Sequence, residues 1–232
     1  MTILEIRPVM GIGEINPGDD LAGLIVDAIS ADGWTLEDKD VIVVTHKVVS
    51  KQEGRIAEVP DEATYRALIE DEAVRIVRRR GDLVIAQTRH GFICANAAVD
   101  RSNVAEGLAL LLPVDPDRSA HRLRRLIERA TGVSIAVIIT DTFGRPWRRG
   151  LVDVAIGVSG IPSIVDLRGT TDAHGNELNV TEVAVVDEIA AAADLVMGKA
   201  TQIPVAVVRG LDLEGAGRAT DLVRPADEDL FR

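Results

Sequence analysis

Asp141 and Thr142 follow directly on the apolar run Ile135-Ala136-Val137-Ile138-Ile139-Thr140, and Gly144, Arg145, Arg148 and Arg149 come within the same short stretch. An apolar run of this kind reads as a buried strand that delivers a carboxylate and a hydroxyl to its C-terminal edge, where open α/β sheets bind ligands. Oxygen donors of these types suit a hard divalent cation, and clustered guanidinium groups suit anionic oxygens. The pattern predicts a metal-assisted phosphate site. The competing reading is a strand-ending Asp that caps the next turn or helix.

Three further polar clusters interrupt otherwise apolar sequence. His46-Lys47-Val48-Val49-Ser50-Lys51-Gln52-Glu53-Gly54-Arg55 follows the run Val41–Thr45, and its lysines could neutralise phosphates or be plain surface lysines. Asp100 and Asn103 stand at what reads as a helix entrance, where an N-cap is the simpler use of such side chains. Thr171-Asp172-Ala173-His174-Gly175 has the composition of a tight polar turn. The familiar nucleotide motifs fail. Gly11-Ile12-Gly13 begins like a dinucleotide fingerprint, but position 16 is Asn16. Gly198-Lys199-Ala200-Thr201 lacks the first glycine and the Lys-Ser/Thr adjacency of a P-loop. His46, His90, His121 and His174 are too scattered for a zinc site, and no Ser, His and Asp arrangement suggests nucleophilic catalysis. Cys94, the single cysteine, excludes an intrachain disulfide and reads as a packed core residue.

The elements that must hold these groups are short and intermixed. The patterning predicts strands at 41–45, 82–87, 91–95, 135–141, 152–158 and 204–208. It predicts helices over 61–79 and over 117–130, the latter stopped by Gly132, and a turn entering a helix across 100–112. Asn179 with Glu182 resembles a capping pair opening an alanine-rich helix that ends at Met197. Strands and helices do not alternate as in a doubly wound sheet, so the expected class is α+β with a mixed sheet.

Aromatic residues make up only 3% of the chain, so its core must be built from Val, Ile, Leu and Ala. Acidic residues outnumber basic ones, 37 to 26, for a formal net charge of −11. Bulk attraction to nucleic acid or anionic membranes is therefore not expected, and small anions need a local basic pocket. The N-terminus has no basic leader, and no apolar run approaches the roughly 18 residues of a membrane span. The expected location is cytoplasmic.

Taken in order, His46–Arg55, Thr88–Asn96, Asp100–Asn103, Leu112–Asp117, Asp141–Gly150 and Met197-Gly198 resemble the coenzyme F-420:L-glutamate ligase family, from Gly11 to about Arg209. The resemblance implies one ligase domain over residues 1–232, with two interleaved subdomains as the alternative, in a two-lobed fold that forms an intertwined homodimer. It implies GTP-dependent attachment of L-glutamate to the lactyl carboxylate of the deazaflavin precursor coenzyme F-420-0 through an acyl phosphate. Extension of a γ-linked glutamate tail would follow, with GDP and phosphate released. The implied ions are Mg²⁺ or Mn²⁺, two per site, with K⁺.

Carried over by motif, Asp141 and Lys51 are the expected catalytic residues, Asp100 and Asp141 would hold one divalent ion, and Thr142 would contribute to a second. Gly13, Glu14, Ile15, Asn16, His46, Lys47, Lys51 and Asn103 would bind the nucleotide. The segment Met197, Gly198, Lys199, Ala200, Thr201, Gln202 and Ile203 would complete that site. One departure matters. Archaeal relatives carry an acidic residue after the Met-Gly pair, where this chain has Lys199, and an ammonium cannot coordinate a cation. The second ion's remaining ligand is thus unassigned. Two alternatives stand beside this reading: a glutamate ligase acting on a pterin or folate-like acceptor, and a non-catalytic nucleotide-binding regulator. A fused reductase domain, present in some bacterial members, has no room before Arg232.

Overall fold

The β-branched run Val41–Val44 is buried on both faces, as is Ala136–Ile139, which is the requirement for central strands covered by helices. Both sit in the middle of the main sheet. In the computed structural model, which describes residues 3–229, the chain opens with β1 (Glu5–Pro8), α1 (Leu21–Ala31), β2 (Val41–Thr45) and α2 (His46–Gln52). It continues through β3 (Ile56–Glu58), α3 (Glu62–Glu72), β4 (Ala73–Arg80), β5 (Leu83–Thr88), β6 (Ile93–Ala95) and β7 (Leu108–Leu110). Next come α4 (Pro116–Thr131) and the long hairpin of β8 (Ala136–Arg145) and β9 (Arg148–Ser159). β10 (Val165–Asp166), β11 (Glu182–Val183), α5 (Val185–Met197) and β12 (Val205–Arg209) follow. The ends of the predicted 1–232 unit, residues 1–2 and 230–232, lie outside the described residues.

The main sheet has the order β1-β12-β2-β8-β9, with β2 and β8 parallel and every other pair antiparallel. The fold is α+β with a mixed sheet, as the intermixed pattern implies. A second, antiparallel sheet β4-β5-β6 and the ladder β3-β7 pack with α3 around a separate small core that includes Tyr65, Ile69 and Val84. Helices α4 and α5 both pack on β9. Among the described residues no helix is long and apolar enough to cross a membrane.

Local signals account for several boundaries. Asp115 caps α4 by accepting the Arg118 amide at 3.0 Å, Pro116 occupies the first turn, and Gly132 ends the helix at a φ of 78°. Asp172 accepts the His174 and Asn176 amides at 2.8 Å, so the 171–175 cluster is the polar turn its composition predicts. Four expectations fail. The helix expected over 61–79 stops at Glu72, because β5 needs an edge partner and 73–80 supplies it. The helix expected after Asp100 is instead the strand β7, paired to β3. The strand expected to end at Asp141 runs on to Arg145 because β9 pairs along its whole length. Glu182 belongs to β11 rather than to a helix cap, and α5 begins at Val185.

Asp187, in the first turn of α5, ties the helix to the sheet by accepting the Ala155 amide at 2.8 Å. Burial pushes its carboxyl above the ordinary value of 3.8, and the hydrogen bond offsets this only in part. A raised folded-state value means that the folded chain holds the proton more tightly. This group therefore favours folding below pH 3.8, and the contribution is lost as pH rises through its folded value. Asp187→Asn keeps an acceptor and cannot ionise. The melting-temperature difference, variant minus wild type, should be more positive at neutral pH than below pH 3.8, and the reverse trend would contradict this assignment.

Candidate active site

Strand β2 ends at Thr45, which pairs with Thr140, while β8 continues for another five residues to Arg145. Among the described residues no strand pairs with β8 on its β2 side beyond Thr140. Asp141 and Thr142 consequently open onto a cavity of about 800 Å³. Helix α2 starts immediately after β2 and turns Lys47 and Lys51 into the same space, while Gly13 and Glu14 come from the loop after β1. The far wall is Asp194 on α5 and the segment that follows that helix.

Most of the expected site residues line this cavity. Gly13, Glu14, Lys47, Lys51 and Asn103 do, as do Asp141 and Thr142. So do Met197, Gly198, Lys199, Ala200, Gln202 and Ile203. Five do not. Ile15 is buried in the main core, Asn16 turns to Asp19, and the Thr201 hydroxyl donates to the Met197 carbonyl. His46 is fully buried beneath the cavity, with Nε2 facing Asp141 Oδ1 at 3.3 Å and Nδ1 near Ser50 Oγ at 3.4 Å. It lies under Asp141 rather than lining the cavity, because α2 begins at His46 and directs that first side chain inward, and its Nε2 has no hydrogen-bond partner among the described residues. Arg145, Arg148 and Arg149 are exposed at the hairpin tip, where Arg145 donates to the Arg149 carbonyl at 2.8 Å. The basic cluster lies away from the carboxylate it follows in sequence.

Asp100 is the fifth. A left-handed turn over Asn96, Ala97 and Ala98, with φ between 50° and 58°, leads into it. The turn is held by Asn96, which accepts the Val84 amide at 3.1 Å and donates to the Tyr65 hydroxyl at 3.3 Å. Asp100 Oδ2 then receives Lys47 Nζ at 2.8 Å and the Ser102 hydroxyl at 2.8 Å, and Oδ1 receives the Ser102 amide at 2.7 Å. Burial pushes this carboxyl up, but Lys47 and the Ser102 donors outweigh it and hold it below the ordinary range.

Two acids that sequence reasoning missed complete the site. In the antiparallel register Thr142 lies opposite Asp153, so their side chains share a face. Thr142 Oγ1 donates to Asp153 Oδ1 at 2.5 Å, and Thr140 Oγ1 donates to Oδ2 at 3.0 Å. Lys199 Nζ donates to Thr142 Oγ1 from across the cavity. Burial raises the Asp194 carboxyl, the Asp153 charge raises it further, and Lys199 opposes both. Cys94 is buried as expected, and burial together with the Asp141 charge pushes its thiol up to about 12. It is packed and inert.

The donor chemistry fits one divalent cation. Asp141 and Asp153 give carboxylate oxygens at the cavity wall, Asp194 adds negative charge, and hard oxygen ligands of this kind suit Mg²⁺ or Mn²⁺. At Thr142 the Lys199 ammonium donates to the hydroxyl, so a second ion there would have to displace it. Among the described residues no group of three or more His, Cys, Asp or Glu side chains is close enough to hold a metal by itself.

A model of the F420-0:gamma-glutamyl ligase family matches residues 10–210. The chain belongs to this family. It is 43% identical to the coenzyme F420:L-glutamate ligase of Methanothermobacter thermautotrophicus over 97% of both chains. It is 42% identical to the protein of the same name from Methanopyrus kandleri, over 99% of this chain and 98% of the relative. The Methanocaldococcus jannaschii relative, also a coenzyme F420:L-glutamate ligase, is 42% identical over 86% of this chain and 87% of its own length. As a member of the F420-0:gamma-glutamyl ligase family, the chain is an amide-bond-forming ligase.

Proposed function

We propose that this gamma-glutamyl ligase joins L-glutamate to coenzyme F-420-0 at the expense of GTP, through an acyl phosphate, and then extends a γ-linked tail. The observation that carries the reading is the convergence of Lys47, Lys51 and Lys199 with Asp141 and Thr142 on one cavity, in a chain whose relatives bear that name.

A carboxylate is a poor acyl donor and must be activated. The acceptor carboxylate attacks the γ-phosphorus of GTP, GDP leaves, and the acyl phosphate forms. The glutamate amine, after losing a proton, attacks the acyl carbon to form the C–N bond, the bond between that carbon and the phosphate oxygen breaks, and inorganic phosphate leaves. Lys51 and Lys47 are placed to neutralise phosphate oxygens as charge moves onto them, and Lys199 extends that field across the cavity. A divalent cation held by Asp141 and Asp153 would add charge neutralisation at the same oxygens. The Thr140–Asp153–Thr142 hydrogen bonds fix the wall in which Asp141 stands. Closing the cavity around the acyl phosphate matters, because water would otherwise hydrolyse it.

Lys51 is buried, and Glu14, itself 74% exposed, meets its ammonium at 2.5 Å. A bound phosphate would take over the Glu14 position. Lys51→Met keeps the stem and removes the charge, so KM for GTP should rise about 10- to 100-fold, as expected for loss of a charge-assisted hydrogen bond. Steady-state kinetics check this, and an unchanged KM would remove Lys51 from nucleotide binding.

The same reading places the chain in a homodimer. Trp147 and Leu151 near the hairpin tip, with Val180 and Leu195, are exposed apolar side chains that such an association would cover.

The acyl-phosphate route is tested by acceptor labelled with ¹⁸O in its carboxylate. Label recovered in the released phosphate supports it; phosphate free of label, with amide formed, contradicts it.

A further inference from the structure

Gly198 closes α5 at a φ of 61° and a ψ of 174°, a backbone conformation open essentially to glycine alone. The chain turns back there, and the Thr201 hydroxyl donates to the Met197 carbonyl, so the segment behind the helix is tied to its last turn. The consequence is the position of Lys199. It lines the cavity opposite the end of β8, and its ammonium reaches the Thr142 hydroxyl.

That hydroxyl is engaged twice. It donates its proton to Asp153 Oδ1 at 2.5 Å and accepts from Lys199 Nζ. An ammonium has three donors and no lone pair, so it can fill a cation's place beside oxygen but cannot help to bind one. A divalent ion brought to the same oxygen would meet a like charge a few ångströms away. The charge balance points the same way. Lys47 is paired with Asp100 and Lys51 with Glu14, whereas Asp141, Asp153 and Asp194 line the part of the cavity that Lys199 reaches. With those three ionised, the single charge of Lys199 leaves a net charge of minus two, which one divalent ion balances.

We infer that Lys199 stands in for a second metal ion, so that the site takes one divalent cation where the family resemblance implies two. The inference rests on the reading of Asp141 and Asp153 as ligands of that one ion. The ammonium supplies as a fixed charge what a second ion would otherwise bring to the phosphoryl oxygens.

Equilibrium dialysis of the full chain against Mn²⁺ and GDP, with electron paramagnetic resonance on the retained protein, tests this. The wild type should retain one Mn²⁺ per chain, with the spectrum of an isolated ion. Lys199→Glu puts a carboxylate in place of the ammonium at an exposed position. It should retain two ions, with a spectrum broadened by coupling between centres about 4 Å apart. Two coupled ions in the wild type would overturn the inference, and that count does not depend on how the variant folds. A single ion in both proteins, with the variant folded by circular dichroism, would overturn it as well. No retained ion in either protein is a different failure: it would remove the ion at Asp141 and Asp153 itself, and the inference with it.

Discussion

Asp141→Asn is expected to fold as the wild type does and to lose ligation, with kcat falling by about 10³-fold. The substitution is isosteric. The amide oxygen can still accept the Thr142 backbone N–H, which donates to Asp141 Oδ1 at 2.7 Å, so the end of β8 keeps its shape. What disappears is one of the carboxylate charges at the cavity wall, and with it a ligand for a cation that could balance the phosphates. His46 cannot replace it, being buried beneath and itself oriented toward that carboxylate. A second consequence follows at Cys94, whose thiol is held up first by burial and then by the Asp141 charge. Removing the charge should let the thiol titrate at a lower pH without exposing it. Circular dichroism, steady-state kinetics and a thiol titration together check the prediction. Wild-type turnover by a folded Asp141→Asn protein would remove Asp141 from the chemistry.

Gly157→Ala is expected to destabilise the fold by about 3 kcal/mol, at the upper end of overpacking costs in well-packed interiors. A Cβ at this position would stand 2.4 Å from the Pro116 carbonyl oxygen and 2.6 Å from its carbon. Both are backbone atoms at the start of α4, so no side-chain rotation relieves the clash. The helix must move away from β9, pulling at the bond between Asp117 and the Val158 amide. For a chain of this size about 3 kcal/mol corresponds to a melting temperature lower by roughly 6–12 °C. A calorimetric shift of less than one or two degrees would show that α4 does not depend on this close approach.

The sequence was most legible where local chemistry decides the outcome. Val41–Thr45 is a strand because four successive apolar β-branched residues must be buried, and α4 begins and ends at Asp115 and Gly132 because those residues satisfy its terminal groups. The stretch 61–79 has a helical pattern throughout, yet its second half is a strand by virtue of pairing with β5, a non-local fact. The site divides in the same way. Asp141 at a strand end and the polar cluster of Lys47 and Lys51 after another strand are legible from local patterning, whereas the helix α2 that turns both lysines into the cavity is not. Asp153 lies inside an apolar strand and Asp194 inside an alanine-rich helix, and neither position looks special until the hairpin register sets Asp153 opposite Thr142. The residue type of His46 was noticed, but its depth beneath Asp141 comes from the parallel pairing of Thr45 with Thr140.

Glutamate ligation on a deazaflavin acceptor is the reaction proposed for this cavity. Mass spectrometry of a reaction containing the purified chain, GTP, Mn²⁺, L-glutamate and coenzyme F-420-0 tests it most directly. Acceptor masses increasing by successive glutamyl residues, with GDP released in step, are the predicted result. An acceptor mass that stays unchanged while GTP binds to the folded chain would contradict it.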